Sequence, residues 1–189
     1  MNASLIGLTG MARVGKDTAA MRLWQVHRFW PLAFADPIKR GLSAAFGLDK
    51  GIFDGPEKEQ EIDWLGVSPR YLMQRFGTQF GREMVAEDVW LRMAGRRLAQ
   101  LQHHQAVVER ERRVVVTDVR FDNEAAWVRE QGGMVLRVTR SVKPVADHES
   151  EYGVSPELVD VSVSNNGTLD EFYARIDDVV RERFGRLAA

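Results

Sequence analysis

Short apolar runs alternate along the chain with amphipathic segments that have a helical period. The apolar runs that predict β-strands are 5–9, 32–35, 114–117, 134–138 and 159–164. The segments that predict helices are 15–29, 37–47, 69–81, 84–109, 122–131 and 168–184. Unbroken apolar runs such as 114–116 are typical of strands that are buried on both faces of a parallel sheet. The pattern therefore predicts an α/β fold in which helices flank a five-stranded parallel sheet.

The mostly helical stretch from about 40 to 110 interrupts this alternation and predicts an insert between two strands. The irregular stretch 139–157 lies between the last two strands and is a candidate lid. We therefore predict a single domain with a core of about 1–38, 110–139 and 155–189, an insert of about 39–109 and a lid of about 140–154.

The chain has 189 residues, a formal net charge of −1 and no cysteine. The length indicates one domain, and the balanced charge favours neither a nucleic acid nor an anionic membrane as a partner. Without cysteine there can be no disulfide and no thiolate metal site, which fits a reducing cytoplasm. We expect neither a signal peptide, because the apolar run 5–8 is too short for one, nor a membrane span, because no apolar run reaches the roughly 20 residues that a span needs. We expect a cytoplasmic protein.

The segment LIGLTGMARVGKDT contains the G-x-x-x-x-G-K pattern of a phosphate-binding loop, between an apolar strand and an amphipathic helix. Gly10 and Gly15 would let backbone N–H groups approach phosphate oxygens, and Lys16 would add a positive charge. Asp17 replaces the usual hydroxyl residue after the lysine, and the hydroxyl follows at Thr18. The alternative is a glycine-rich turn with a solvated lysine.

An acid at position 17 needs an explanation, because a carboxylate about 5 Å from a phosphate charge would be repelled by roughly 3 kcal/mol at an effective dielectric constant of 20. Either Mg²⁺ stands between Asp17 and the phosphates, or Asp17 turns outward and binds an arginine of the lid. Both alternatives remain open at the level of the sequence.

A second motif, RVVVTDVRFDNEA, contains an apolar strand that is followed by Asp118. An aspartate at this position can place its carboxylate near Mg²⁺ beside a phosphate loop. The alternative is an aspartate that only caps a helix. Arg120 follows at the same edge of the sheet. We expect Asp122 or Asn123 to cap the helix that comes next.

A third motif, SPRYLMQRFGTQFGREMVAEDVWLRMA, begins with Ser68 and Pro69 as the N-cap and first residue of a helix. Gly77 and Gly81 are unusual within a helix and indicate a ligand or a backbone close by, or a break. The segment also carries polar side chains that suit a phosphate and a base edge, or alternatively form a solvated face beside a core Trp90; they include Arg70, Gln74, Arg75 and Arg82.

The last motif, SNNGTLDEF, predicts a capping box between Thr168 and Glu171, preceded by a turn at 165–167 that could lie against a nucleobase. The segment DHESEY at 147–152 lacks the second histidine of a zinc-binding H-E-x-x-H motif and favours a lid or a solvated loop.

These motifs, together with FADPIK, DVW and HESE and in this order, resemble the phage-type deoxynucleoside monophosphate kinases over nearly the whole chain. The resemblance implies a P-loop NTPase fold with a helical insert that binds the nucleoside monophosphate, a short lid, and ATP and Mg²⁺ as donor and cofactor. In such kinases the hydroxyl often stands two positions after the loop lysine, as Thr18 does here.

The resemblance also implies roles for individual residues. Those implied around ATP are Gly10, Arg13, Gly15, Lys16, Asp17, Thr18, Asn166 and Gly167. Those implied around the acceptor nucleotide are Asp36, Lys39, Arg70, Gln74, Thr78, Arg82, Asp88 and Trp90. Asp17, Thr18 and Asp118 are implied near Mg²⁺, directly or through water. The catalytic residues implied are Lys16, Arg82, Asp118, Arg120 and Arg140, with Arg137 as a further cation.

The expected reaction transfers a phosphoryl group from ATP to a deoxynucleoside 5′-monophosphate and gives the diphosphate and ADP. The protein would act as a monomer or homodimer, in the host cytoplasm if a phage encodes it. Two alternatives remain: a P-loop kinase for another phosphorylated small acceptor, and a nucleotide-dependent switch that is not a kinase.

Overall fold

Five parallel strands form the central sheet: β1 (Ser4–Thr9), β2 (Trp30–Leu32), β3 (Arg113–Val116), β4 (Met134–Thr139) and β5 (Val161–Ser164). Their order in the sheet is β2–β3–β1–β4–β5, and each neighbouring pair is parallel. The computed structural model of the chain describes residues 4–107, 113–141 and 153–185. The prediction of a five-stranded parallel sheet is confirmed.

The helices are α1 (Lys16–Gln25), α2 (Asp36–Phe46), α3 (Pro69–Arg75), α4 (Val89–Val107), α5 (Asp122–Glu130) and α6 (Leu169–Phe184). A π-helical segment, Phe76–Val85, continues α3, and short 3₁₀ turns lie at Lys50–Phe53, Pro56–Glu59 and Pro156–Leu158. The chain divides into two compact units: Met1–Ala33 with Arg97–Ala189, which holds the sheet, and Phe34–Arg96. Within the described ranges, no helix has the length and apolar character needed to cross a membrane.

Helices cover both faces of the sheet, as the alternation of side chains along β1 shows. Ile6 and Leu8 are fully buried in a cluster that contains Leu23 of α1 and the apolar face of α6. Gly7 faces the opposite side, where a Cβ atom would lie only 3.0 Å from the side chain of Val128 in α5. The expectation that the strands are buried on both faces is therefore confirmed.

Strand β2 lies earlier than predicted. The apolar pattern indicated a strand at 32–35, but the strand is Trp30–Leu32 and pairs Pro31 with Val115. Proline cannot donate a hydrogen bond to a neighbouring strand, so it argues against a central strand but not against an edge strand. Because β2 is the edge of this sheet, Pro31 is tolerated there.

The order of the strands places a crevice at the carboxyl end of β1. The chain passes from β1 to β2 and β3 on one side of the sheet, whereas β4 and β5 lie on the other side of β1. Ligands of open α/β sheets bind at the carboxyl ends of the strands, at the point where the strand order reverses. In this sheet that point is where β1 leads into the segment Gly10–Gly15.

In the second unit, the helix that begins at Ser68 does not break at its two glycines but widens into the π-helical segment. The N–H of Ala86 donates to the carbonyl of Gly81, five residues earlier, at 3.0 Å. The indole of Trp90 donates to the carbonyl of Gly77 at 2.8 Å, and a Cβ atom on Gly81 would lie 2.3 Å from the same ring. The neighbour that requires glycine at position 81 is therefore the side chain of Trp90, which is only 6% exposed and belongs to the core.

We expect Gly81→Ala to destabilise the protein by about 1–3 kcal/mol, as overpacked core substitutions do. The new methyl group would meet a rigid indole ring at 2.3 Å, so that the ring or the helix must shift. For a chain of this size the melting temperature should fall by roughly 3–10 °C, which thermal unfolding followed by circular dichroism can measure.

Gly77→Ala is the matched control, because it lies in the same segment and faces only the flexible end of Ile38 at 3.1 Å. Alanine also gains about 1 kcal/mol over glycine within a helix. This variant should therefore melt close to the wild type. Equal losses in both variants would contradict the role given to the Trp90 ring.

Candidate active site

The segment between β1 and α1 has the backbone geometry of a phosphate-binding loop. Gly10, Arg13 and Gly15 all have positive φ angles, of 135°, 64° and 107°. Glycine adopts this region without strain, whereas Arg13 occupies it at a cost. Alternation of left- and right-handed residues turns backbone N–H groups toward one concave side, which forms a nest for anions.

The two glycines of the motif pack tightly against the sheet. A Cβ atom on Gly10 would lie 2.3 Å from the carbonyl oxygen of Val138 in β4. A Cβ atom on Gly15 would lie 2.4 Å from the side-chain nitrogen of Asn165, just after β5. Both glycines are thus required by neighbours within the protein as well as by their own φ angles.

Lys16 lies across the loop. Its ammonium donates hydrogen bonds to the carbonyls of Gly10 at 2.6 Å and Met11 at 2.7 Å, and the residue is half-buried. It is also the first residue of α1, whose N-cap, Gly15, has no side chain that could occupy the free N–H groups of the first turn. A positive charge and a helix N-terminus therefore meet at the same loop.

The other residues of the loop differ in exposure. Asp17 and Arg13 are exposed, whereas Thr18 is half-buried in the first turn of α1. Exposure of Asp17 is compatible with both alternatives that the sequence left open.

Asp118 lies at the carboxyl end of β3, beside β1. The N–H of Thr117 donates to the carbonyl of Leu32 at 2.9 Å, and that of Val119 donates to the carbonyl of Leu8 at 3.0 Å. These two bonds hold the half-buried Asp118 between them, at the same edge of the sheet as the loop.

The oxygen donors at this edge of the sheet suit Mg²⁺, although they do not form a complete set of ligands by themselves. No group of three or more His, Asp or Glu side chains within the described residues lies close enough together to hold a metal ion. Mg²⁺ seldom needs such a group, because it keeps several waters and binds through one or two carboxylates together with substrate phosphates. The hydroxyl of Thr18 and the carboxylate of Asp118 are oxygen donors of the kind that it prefers.

The cap of α5 differs from the prediction. Neither Asp122 nor Asn123 caps the helix; instead, the buried carboxylate of Glu124 reaches back and accepts from the backbone N–H groups of Arg120 at 2.8 Å and Phe121 at 3.2 Å. The side chain of Arg120 is exposed.

Asp122 binds another segment instead. It accepts hydrogen bonds from the hydroxyl of Ser155 at 2.6 Å and from its N–H at 2.8 Å. These bonds, that of the hydroxyl first, stabilise the carboxylate and lower the pKa of Asp122 below its ordinary value. Asp122 thereby fixes the segment at Ser155 that leads into β5.

The arginines that follow along β4 are in different surroundings. Arg137 is half-buried and donates to the carbonyl of Val154, whereas Arg140 is exposed just after the strand. The predicted lid, 140–154, falls largely on residues 142–152, and these, with the DHESEY segment, lie outside the described residues.

The turn after β5 is fixed from both sides. Asn165 donates through its side chain to the carbonyl of Val14 at 2.8 Å, and Asn166 accepts from the N–H of Ser141 at 2.7 Å. A Cβ atom on Gly167 would overlap Glu171, at 1.9 Å from its carboxylate.

The capping box at the start of α6 is confirmed. The carboxylate of Glu171 accepts from the N–H of Thr168 at 2.9 Å, and the hydroxyl of Thr168 accepts from the N–H of Glu171 at 3.3 Å. The same box holds the turn at 165–167 in place.

An ion-pair cluster joins α1 to α6. Arg22 binds both carboxylate oxygens of Asp177, at 3.0 and 2.6 Å, and the imidazole of His27 lies 2.7 Å from the same carboxylate. The hydrogen bond from Arg22 is the main reason why the pKa of Asp177 lies below its ordinary value. This cluster supports the helix whose N-terminus forms the loop.

In the second unit, several residues implied around the acceptor are engaged in ion pairs. Lys39 binds Asp54 at 2.5 Å, and Arg70 binds Glu59 at 2.6 Å. Asp36, the first residue of α2, lies 3.5 Å from the ammonium of Lys50. Asp54 and Glu59 are half or more exposed, at 59% and 50%, so that an arriving anion could replace them.

The remaining members of this set lie along α3, the π-helical segment and the start of α4. Gln74 and Arg82 are half-buried, and Thr78 is exposed. Asp88 pairs with Arg92 at 2.9 Å. Trp90 differs from the others because its indole ring is occupied by packing on Gly81 and by the hydrogen bond to Gly77.

The structure thus brings one set of predicted residues to a single edge of the sheet. The loop follows β1, Asp118 follows β3, Arg140 follows β4 and the turn at 165–167 follows β5. The sequence analysis named Asn165 only as part of the turn at 165–167, and its hydrogen bond to the loop at Val14 was not predicted.

Comparisons with known proteins show the family to which the chain is similar. Residues 56–176 match the family model described as deoxynucleotide monophosphate kinase. A protein of Acanthamoeba polyphaga mimivirus, provisionally named a deoxynucleotide monophosphate kinase, is 33% identical over 184 residues, which cover 91% of this chain and 93% of that protein. The deoxynucleoside-5′-monophosphate kinase of Escherichia phage T5 is 30% identical over 110 residues, which cover 54% of this chain and 41% of the phage protein.

Among solved structures, dephospho-CoA kinase from Campylobacter jejuni superposes with a TM-score of 0.50 at 15% sequence identity, over 96% of each chain. At this identity the likeness shows the fold alone.

Proposed function

The chain belongs to the deoxynucleotide monophosphate kinase family, and we propose on that basis that it transfers the γ-phosphoryl group of ATP to a deoxynucleoside 5′-monophosphate, giving the diphosphate and ADP. The observation that carries phosphoryl transfer is the loop after β1, with its left-handed glycines and Lys16 across it. The acceptor is supported by the family match, which begins at residue 56 and includes most of the second unit.

The donor phosphates bind, in this proposal, to the backbone N–H groups of Gly10–Gly15 and the first turn of α1. The support is the nest geometry of the loop together with the helix N-terminus. Lys16 would exchange the two loop carbonyls for phosphate oxygens, because a charged oxygen is the stronger acceptor. The turn at Asn166 and Gly167 would lie near the adenosine part of ATP.

The chemistry needs charge neutralisation more than proton transfer. A phosphate monoester has a second pKa of about 6, so that the acceptor is largely a dianion near neutral pH and needs no general base. Two anions must instead be aligned against their mutual repulsion. Lys16, Arg82, Arg120 and Arg140 are the cations proposed for this task.

Mg²⁺ would be held by the carboxylate of Asp118 and the hydroxyl of Thr18, with Asp17 contributing through water. When bound, the ion would neutralise charge that develops on the transferring phosphoryl group.

The acceptor nucleotide is proposed to bind to the second unit. Lys39 and Arg70 would exchange Asp54 and Glu59 for the phosphate of the substrate, while Arg82 would lie near the transferring group. Gln74, Thr78, Asp36 and Asp88 are proposed around the sugar and base. Trp90 would act indirectly, by fixing the π-helical segment that carries Thr78 and Arg82.

A coupled assay for ADP tests the proposal, with a panel of deoxy- and ribonucleoside monophosphates as acceptors. We expect ADP formation that depends on at least one deoxynucleoside monophosphate. Formation of ADP that ignores every monophosphate would favour a nucleotide-dependent switch, and dependence on another phosphorylated compound alone would favour a different kinase; both results would contradict the proposal.

Arg82→Ala locates the acceptor site in the same assay. It should raise KM for the monophosphate by about tenfold or more, since it removes a charge-assisted hydrogen bond, and should change KM for ATP much less. Arg96→Ala, an exposed arginine of α4, is the matched control and should change neither constant. A rise in KM for ATP alone would place Arg82 on the donor side.

A further inference from the structure

Asn165 links the end of β5 to the loop that follows β1. Its backbone N–H donates to the carbonyl of Thr139, the last residue of β4, at 2.7 Å. Its side-chain amide donates to the carbonyl of Val14 at 2.8 Å, across 151 residues of sequence. The residue is half-buried and therefore partly shielded from water. Its backbone is thus fixed by the sheet, and its side chain is directed to the loop.

The contact with the loop is also close in the steric sense. The side-chain nitrogen of Asn165 would lie 2.4 Å from a Cβ atom on Gly15, so that only glycine fits beside it. Phe172 of α6 lies on the same side of Gly15, 3.8 Å from that position. The amide thus fills the space behind the last peptide of the loop.

A hydrogen bond to the carbonyl of Val14 also orients the next N–H group. The peptide unit is planar and trans, as no cis bond occurs in the described chain, so the C=O of Val14 and the N–H of Gly15 point in opposite directions. Holding the oxygen toward Asn165 directs the N–H of Gly15 away from Asn165. Without this bond, the peptide between two residues of different backbone conformation could rotate more freely.

We propose that Asn165 is a positioning residue of the phosphate loop: it holds the Val14–Gly15 peptide so that the N–H of Gly15 is available to the donor phosphates. The inference rests on the proposed function, because it takes the loop to bind ATP. Asn165 itself touches the protein and not the phosphates.

Substitution by aspartate tests the bond most directly. A carboxylate at 165 has nearly the same shape but would face the carbonyl of Val14 with an acceptor in place of a donor. Asn165→Asp should therefore weaken ATP binding by about tenfold or more, and Asn165→Ala by about fivefold, the effect of one lost hydrogen bond. KM for the monophosphate should stay within about twofold in both, because the second unit is not altered.

Arg175→Ala provides the matched control. Arg175 donates to the carbonyl of Ser164 at 2.9 Å, so that it fastens the same end of β5 without contacting the loop. This variant should lose a little thermal stability and keep the ATP affinity of the wild type. The measurements are titration calorimetry with ATP and with ADP, melting temperature, and KM for both substrates.

The outcomes separate the possible failures. Wild-type protein that binds neither ATP nor ADP would overturn the proposed function itself. ATP binding that is unchanged in Asn165→Asp, or reduced equally in Arg175→Ala, would overturn only the positioning role, as would an equal rise in KM for both substrates.

Discussion

Lys16→Ala is expected to lower kcat by at least about a hundredfold, because one lost electrostatic contact in a dry site costs several kcal/mol of transition-state stabilisation. Lys16 is the cation that lies across the loop, with its ammonium 2.6 and 2.7 Å from the carbonyls of Gly10 and Met11. The variant should remain folded, since Lys16 is only half-buried and does not belong to the apolar cluster behind α1. Initial rates at saturating ATP and monophosphate measure the effect, with circular dichroism to check the fold.

Arg13→Ala is the comparison for this experiment. Arg13 is a second cation of the same loop, but it is exposed, and solvent screens its charge. It should therefore change kcat by less than about tenfold. A Lys16→Ala enzyme that retains more than about a tenth of the wild-type kcat would refute the assignment of the phosphate loop.

Features that depend on local sequence were predictable. Apolar runs predicted the positions of β1, β3, β4 and β5, and the glycine spacing before Lys16 predicted a loop at the carboxyl end of β1. The capping box of Thr168 and Glu171 uses residues three positions apart, so its pattern is visible in the sequence.

The features that were missed depend on partners elsewhere in the fold. The π-helical segment forms around Trp90, thirteen residues after the carbonyl of Gly77 to which it donates. Strand β2 could contain Pro31 only because it lies at the edge of the sheet. The bond from Asn165 to Val14 joins residues that become neighbours only when β5 joins the sheet. No periodicity or motif within a short window encodes such contacts.

The prediction for the N-terminal cap of α5 was wrong for a different reason. Glu124 stands at the third helical position, where a glutamate often reaches back to the N-cap, but the N-cap is Phe121, which has no polar side chain. Asp122 and Asn123 follow directly, and because aspartate and asparagine are common N-cap residues, they were predicted to cap the helix. The structure uses only the glutamate half of the capping box, and Asp122 is left to bind Ser155.

Asp118→Asn is expected to lower kcat by about a hundredfold and to raise the Mg²⁺ concentration needed for half-maximal activity. Asp118 is half-buried, and the backbone N–H groups of its neighbours Thr117 and Val119 are hydrogen-bonded to the adjacent strands, at the edge of the sheet where the loop begins. A carboxylate about 5 Å from a phosphate charge is repelled by roughly 3 kcal/mol at an effective dielectric constant of 20, which a divalent cation between them would reverse. Asparagine keeps the shape but not the charge, so that the fold should be unaffected.

Asp17→Asn is the matched variant, because it removes the same charge from the exposed side of the loop. Two measurements compare the variants: the Mg²⁺ dependence of the rate, and Mn²⁺ binding in the presence of ADP, followed by electron paramagnetic resonance. If both acids serve the metal, both variants should weaken Mn²⁺ binding, Asp118→Asn the more strongly because its carboxylate is the less solvated.

Weakening of Mn²⁺ binding in Asp17→Asn alone would move the metal to the other side of the loop. Mg²⁺ and Mn²⁺ titrations of Asp118→Asn that superimpose on those of the wild type would exclude a metal role for Asp118. If Asp17→Asn lowers kcat without changing Mn²⁺ binding, Asp17 is left as the partner of a lid arginine.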